Sequence, residues 1–358
     1  MREATYPRGF PDSWYRLAAS SDLAAGQIKY VECLGKQIVV YRSEDGRSVS
    51  AMSAFCPHLG ANLSGGCVKG ERLECPFHHW QLCSDGRVGK IPYADKLPAR
   101  ARQETWPIRE VYGQIFIYHR GGQFNDCEQA PPYEIPAIPE VDDGRWAYRG
   151  RHDGKTVRMH LIEFAENSVD FAHFAPIHSG MFVPWTAIKV PGVKVEHEAD
   201  WEPDADQPHL AYFKNKAVLH VLGRLVERTR ASALITFVGP GSVVTFRFKI
   251  PDVGEIIMFQ THLPISAMEQ KVDFLWYADK TMPRMLVSYV VGNWVSQWAA
   301  DIDIWENKVY LDKPTLAAGD GPIHRMRRWY KQFYSADDAT DDPTDNPTDL
   351  APAVLASA

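Results

Sequence analysis

The sequence predicts an α+β chain of two domains: an all-β N-terminal domain, then a larger domain in which helices cover an antiparallel sheet. Three observations point there. Short runs rich in β-branched residues and punctuated by turn signals fill positions 14–119. Longer strand-like runs follow Trp146. Helical patterns flank those later runs. A length of 358 residues suits two domains, and 45% hydrophobic with 23% charged residues is an ordinary composition that can bury a large core.

In the first region "IKYVECLG", "QIVVYRSEDGRSVSAMSAF" and "GQIFIYHR" read as strands, with Glu44-Asp45-Gly46 as a turn. The Pro-rich connector "QAPPYEIPAIPEVDDG" then marks a boundary, giving a first domain over 1–120 and a second over 121–335. The second offers "KAVLHVLGR", "SALITFVG", "SVVTFRFKI", "EIIMFQTHL" and "VDFLWYA" as strands. One helix is expected over 162–174. Another, over 285–305, lines up Val287, Val291, Trp294, Trp298 and Ile302. "GPIHRMRRWYKQFY" is an amphipathic, basic final helix.

The net charge is −6, and all of it resides in six aspartates of the tail over 336–358, which has no Lys or Arg. That tail is expected to be disordered, because it has no aromatic residues with which to bury itself. The remaining body is formally neutral and lacks the basic field that nucleic-acid binding needs. No start combining basic and apolar runs suggests a secretory signal, and no run of 18 apolar residues suggests a membrane span. The expected location is cytoplasmic.

The stretch 55–80, "FCPHLGANLSGGCVKGERLECPFHHW", holds three cysteines and three histidines. Cys56-x-His58 is followed, sixteen residues later, by Cys75-x-x-His78. A disulfide would leave the histidines unexplained. Tetrahedral zinc is chemically feasible, but common zinc words pair like ligands. One Cys and one His from each loop suits a Rieske 2Fe–2S cluster, in which two thiolates hold one iron and two imidazoles the other. Gly60, Gly65 and Gly66 let the first loop bend, and Pro57 and Pro76 stiffen the pair. The stretch resembles the Rieske signature. Cys67, Cys33, Cys83 and Cys127 have no place in it and read as ordinary thiols. His79 stands where many Rieske proteins carry Gly, and is expected to point outward without binding metal.

A second set lies in "EFAENSVDFAHFAPIHSG", where Asn167, Asp170 and His173 are spaced three apart, along one side of a helix. Pro176 should end that helix near Phe174 or Ala175. On an unbroken helix His173 and His178 would diverge by about 140°, so the break lets both imidazoles face one point. Two imidazoles with a carboxylate form the facial triad of mononuclear Fe(II) oxygenases. Asp301 is the best third ligand, since it shares the buried stripe of Trp294, Trp298 and Trp305. Its competitor Asp303 lies about 200° around the helix. Each of these residues alone has a bland reading: a structural histidine, a helix-surface acid. Jointly they have few.

Together the cluster words and Asn167-x-x-Asp170-x-x-His173-x-x-x-x-His178 with a late Asp resemble the Rieske non-haem iron oxygenases, over about 7–335. The resemblance implies electrons entering at the cluster and passing to a mononuclear Fe(II) that activates O₂. It implies a homotrimer in which the cluster of one subunit faces the iron of the next. There Asp170 would accept hydrogen bonds from His78 across the interface and from His173 of its own subunit, and Asn167 would sit near the iron without a strong bond. No Gly-x-Gly-x-x-Gly fingerprint is present, so a flavin reductase, with or without a ferredoxin, is expected to bring NAD(P)H electrons. The segments "GKIPYADKLPARARQETWPI" and "DIDIWENK…GPIHRMRRWYKQFY" look most like the steroid branch, which includes 3-ketosteroid 9α-hydroxylases, sterol C-7 desaturases and sterol C-4 demethylation oxygenases. The substrate expected is therefore a steroid or sterol, with a non-steroid hydrophobic or aromatic compound as the alternative. A non-catalytic Rieske electron carrier is the competing class. Phe237, Phe246, Phe248, Met258 and Phe274 could line a pocket. "HSGMFVPWTAIKVPG" reads equally as a mobile lip, with Met181, Phe182, Val183 and Trp185 touching substrate or a lipid surface, and as an ordinary packed loop.

Overall fold

The computed structural model describes residues 2–335; the acidic segment 336–358 lies outside the described residues. The N-terminal part is built from three small antiparallel sheets. One joins Ser13–Ala19, Gln114–His119 and Ile108–Val111. A second joins Ile28–Cys33, Lys36–Arg42 and Val49–Ser53. The third is a four-stranded meander over Cys67–Lys69, Arg72–Glu74, Gln81–Leu82 and Val88–Lys90. The first metal word sits in the loop entering this meander, and the second in the loop joining its second and third strands. Val39, Met52, Leu63, Leu73 and Leu82 are buried beneath them and give those loops a rigid floor.

The second part is an eight-stranded antiparallel sheet. Its strands run, in spatial order, Trp146–Val157, Glu269–Asp279, Gly254–Ser266, Val243–Ile250, Arg224–Val238, Leu210–Val221, Lys189–Pro203 and Gly180–Phe182. Every expected strand is present. Trp146–Val157 and Lys189–Pro203 were not anticipated: Gly and charged residues break up the first, and the second opens with Pro191 and Gly192 and carries a charged residue at every other position from Lys194 to Asp200.

The long helix Arg284–Asn307 packs across this sheet with Val287, Val291, Trp298, Asp301 and Trp305 buried. Its C-terminal carbonyls at Trp305, Glu306 and Lys308 accept from the Arg2 guanidinium, a cation at the negative end of the helix. Gly292 within it is costly for a helix, but a Cβ there would come within 2.4 Å of the Trp185 indole. The segment after His178 is thus pinned to the helix: Trp185 N–H donates to the Gly292 carbonyl at 3.2 Å, and Asn293 Nδ2 to the Phe182 carbonyl at 2.8 Å. It is a packed hairpin. Only Met181 of the four lip residues lines the adjacent cavity.

The helix expected over 162–174 is shorter. It covers Leu161–Asn167, followed by a 3₁₀ turn Phe171–His173 and a π turn Phe174–His178. Ser168 Oγ donates to the Ala165 carbonyl at 2.6 Å, the local competition by which short polar side chains end helices. The break therefore comes before His173, and Pro176 lies inside the π turn. Glu163 and Glu166 anchor the short helix, the first accepting from the Tyr6 hydroxyl at 2.5 Å, the second pairing with Arg327 at 2.6 Å. The two parts of the chain meet through Arg16 and Asp273, a buried ion pair at 2.5 Å.

Candidate metal centres

The cluster words converge as their spacing predicts. Cys56 and Cys75 are buried, and the imidazoles of His58 and His78 lie 4.7 Å apart between ring centroids. Gly60 takes φ +75°, and a Cβ on Gly66 would come within 2.1 Å of the Glu74 carbonyl, so the loops approach as only glycine allows. Burial pushes the Cys56 thiol up to about 11, so a thiolate here needs a cation beside it. Nδ1 of His58 is buried with no hydrogen-bond partner. Two buried thiols and an orphaned imidazole nitrogen fit a group that binds through sulfur and nitrogen. Trp80 was missed in the sequence: its ring stacks on His58 at 4.3 Å and 8°, and its Nε1 donates to the Tyr93 hydroxyl at 2.8 Å. A tryptophan two positions after the second word was the available signal. His79 is exposed at φ +58°, a conformation that favours glycine.

At the second site His173, His178 and Asp301 are all buried, with ligand atoms within 4.8 Å of one another, a separation one ion can span. The π turn makes this possible: an i→i+5 winding returns the chain to the same side after five residues, where an α-helix would not. His173 Nδ1 donates to the Asp170 backbone carbonyl, and His178 Nδ1 donates to Gln297 Oε1 at 2.8 Å. Both rings are therefore held with Nδ1 protonated and the Nε2 lone pair turned inward. Asp301 Oδ1 lies 3.0 Å from His178 Nε2 but without hydrogen-bond alignment, so this buried carboxylate oxygen has no donor. Asn167 Nδ2 bridges His173 Nε2 and Asp301 Oδ2, each at 3.3 Å. Burial lowers the His173 pKa, which keeps that imidazole neutral and able to donate its lone pair. Asp303 is exposed and takes no part.

One sequence expectation at the triad needs amendment. The Asp170 contact to His173 runs through its backbone carbonyl, because the 3₁₀ turn brings main chain, and not the carboxylate, to the ring. Gln297 was missed. It lies one turn before Asp301 on the same helix face, and Gln297 Nε2 donates to the Gly180 carbonyl at 3.1 Å, fixing which end of its amide meets His178.

A cavity of about 340 Å³ opens beside the triad, within the range of small-molecule sites. Phe164, Phe213, Phe237, Phe246, Phe248 and Trp294 contribute its apolar wall. Met258 and Phe274 are buried in the core and do not reach it. One helix contributes Tyr289, Asn293, Trp294, Gln297, Trp298 and Asp301 to the lining, a stretch of twelve residues or about 18 Å of helix axis.

Residues 13–105 match the Rieske [2Fe-2S] domain, and residues 123–334 match the 3-ketosteroid 9α-hydroxylase C-terminal domain. Cholesterol 7-desaturase of Xenopus laevis is 34% identical over 339 residues, spanning 92% of this chain and 73% of that protein. The probable 3-ketosteroid-9-alpha-monooxygenase oxygenase component of Rhodococcus rhodochrous is 32% identical over 351 residues, spanning 92% and 81%. Among solved structures, NdmA of Pseudomonas putida CBB5 with caffeine superposes with a TM-score of 0.68 at 20% identity, covering 89% of each chain, a likeness of fold. With both domain families matched in order along one chain, and relatives matched over 92% of it that are named as a desaturase and a probable monooxygenase, this protein belongs to the Rieske oxygenases, in the branch of the cholesterol 7-desaturases and 3-ketosteroid 9α-hydroxylases.

Proposed function

We propose that the chain is the terminal oxygenase component that oxidises a C–H bond of a steroid or sterol, with O₂ as co-substrate and electrons from a separate NAD(P)H-dependent reductase. The observation that carries this is the buried set His173, His178 and Asp301 lining a cavity of about 340 Å³ whose wall is largely apolar. In this reading Cys56, His58, Cys75 and His78 hold the 2Fe–2S cluster, and His173, His178 and Asp301 hold a mononuclear Fe(II). That iron supplies O₂ binding and the oxidising power for C–H cleavage.

The chain's own residues do the rest. Gln297 and the Asp170 carbonyl fix the tautomers of the two histidines. Asn167 sits beside the triad, where its amide can steady His173 and Asp301 without supplying a strong ligand. The aromatic wall excludes water and positions the substrate. The Asp170 carboxylate is half-buried and has no side-chain partner in its own chain among the described residues, which leaves it available to His78 of the partner subunit in a trimer.

The relatives above are named for cholesterol and 3-ketosteroids, which favours a polycyclic substrate, and the apolar wall of the cavity suits one. The test is reductase-coupled turnover with 3-ketosteroids, cholesterol-like sterols and 4-methylsterols beside naphthalene-sized aromatics. Product from at least one steroid or sterol is expected. Oxidation of the small aromatics alone would overturn the substrate class and leave the oxygenase chemistry standing.

A further inference from the structure

The hairpin formed by Leu210–Val221 and Arg224–Val238 outruns its neighbour in the sheet. Strand Val243–Ile250 pairs only with positions 232–238, so 224–231 project beyond it. The projecting part walls the cavity: Ala217, Leu219, Thr229 and Ala231 line it on this side. Side chains alternate along a strand, so the cavity face continues outward by rungs. His197 opposes Ala217, Val195 opposes Leu219, and Val193 opposes Val221. Beyond the last rung Leu222 seats against Gly192. Exposure rises along this row, with Val221 at 39% and Leu222 at 83%, and Leu225 beside them at 46%. Leu222 also holds φ +50°, so an apolar residue stands at a tight turn where Asn or Gly is at ease.

The flanks of this tip are basic. Positions 188–195 and 219–230 carry Lys189, Lys194, Arg224, Arg228 and Arg230 against one acid, Glu227, which Arg230 engages at 2.8 Å. Glu196, just outside, is taken by His220 at 2.7 Å. This excess stands out in a body whose formal charge is zero.

We propose that the hairpin tip docks on an anionic lipid bilayer: Leu222, Val221 and Leu225 enter the interface, and Arg224, Arg228 and Lys194 meet the headgroups. Apolar side chains with a basic rim are the chemistry that an anionic membrane surface recognises. The apolar row from Leu222 to the Leu219–Val195 rung then forms a path of roughly 10 Å from lipid to cavity. The cargo rests on the sterol reading above; the docking stands on surface chemistry alone. No helix among the described residues is long and apolar enough to cross a membrane, so the attachment is peripheral.

The experiment is flotation of the full chain with vesicles of phosphatidylcholine alone and of phosphatidylcholine mixed with phosphatidylserine, without substrate or reductase. Binding is expected only to the anionic vesicles, and to weaken with salt. Arg224→Gln with Arg228→Gln should weaken it about 30-fold, at about fivefold per basic side chain near the surface. Leu222→Asp should weaken it at least about tenfold. Both variants should keep the parent's melting temperature and oligomeric mass. Absence of binding to anionic vesicles, or binding untouched by these substitutions, overturns the proposal. So does a change in oligomeric mass for Leu222→Asp, which would assign the tip to a subunit contact. Failure of every sterol in the turnover panel, with vesicle binding intact, would strike the cargo and spare the docking.

Discussion

The cluster loops and the triad hold their candidate metal ligands in opposite ways. The cluster set comes from two loops within one small domain, and its histidines reach a surface rimmed by exposed Phe55, Leu59 and Phe77. The triad draws on residues 128 positions apart, and Asp301 is only 4% exposed. A centre that trades electrons with another protein has to lie near the surface. A centre that activates oxygen is best sealed from water. The two regions share one device: in each, the protein fixes an imidazole through a neighbour, Trp80 for His58 and Gln297 for His178.

The sharpest way to break this division is to empty one region and watch the other. Asp301→Ala should lower turnover by more than about 100-fold, since a direct ligand matters at least as much as its supporting partners. The visible spectrum of the cluster should remain. Cys75→Ser should remove that spectrum and turnover together, while iron at the triad persists. Asp303→Ala, at an exposed position, should behave as wild type. If Asp303→Ala instead lost the mononuclear iron, the third ligand is misassigned.

A junction between the regions comes next. Asp170→Asn should keep both metals by iron and sulfide analysis yet slow single-turnover electron transfer by about 100-fold, the upper end of the range for an outer partner of a metal ligand. A monomer with full activity would contradict this, because the proposed bridge requires a partner subunit.

What the sequence made legible follows the same division. Cys56, His58, Cys75 and His78 are close in sequence and sit in loops of fixed shape, so spacing alone predicts convergence. Asp301 was legible because helix phase separates it from Asp303, and its burial beside Trp298 and Trp305 bears that phase out. The histidine segment was only half legible. Helix periodicity placed the break at Pro176, whereas Ser168 ends the helix earlier and a π turn carries His178 back to His173. Such turns have no strong sequence signature, because they are stabilised by what packs on them: here Phe174 stacks on Phe213 at 6.0 Å and on His197 at 4.9 Å. The pinned hairpin after His178 depends on the contact of Trp185 with Gly292, more than a hundred positions away.

Gln297→Leu should be milder than Asp170→Asn. It removes the acceptor for His178 Nδ1 and leaves the ring free to turn, so iron affinity should fall about tenfold. The Rieske spectrum should not change. Gln297→Glu, which retains an acceptor at the same reach, should recover most of the affinity. Equal loss in both variants would show that Gln297 only fills space.

The smallest effect on activity, and the finest probe of how far the regions are coupled, is in stability against pH. His119 belongs to the first region and His160 and His262 to the second; burial pushes their pKa values down to about 3, about 4 and about 4. Their contacts require neutral rings: His119 Nδ1 accepts from Trp106 Nε1, and His160 Nδ1 accepts from the Ile162 N–H. In the unfolded chain each would titrate near 6.5. A folded pKa below the unfolded one means that unfolding takes up protons between the two values. The stabilisation is complete above about pH 6.5, declines as pH falls, and has no further loss from these groups below about pH 3–4. Each histidine contributes a slope of at most about 1.4 kcal/mol per pH unit. Between pH 6 and 5 the melting temperature should therefore drop by several degrees. If the regions unfold as one, a single transition carries all three protons. If they unfold separately, the transition of the second region should be more than twice as steep in pH as that of the first, because burial lowers the His197 and His209 pKa values there as well. Calorimetry at several pH values distinguishes these, and a melting temperature flat from pH 7 to 5 would refute the assignment of these histidines as buried and neutral.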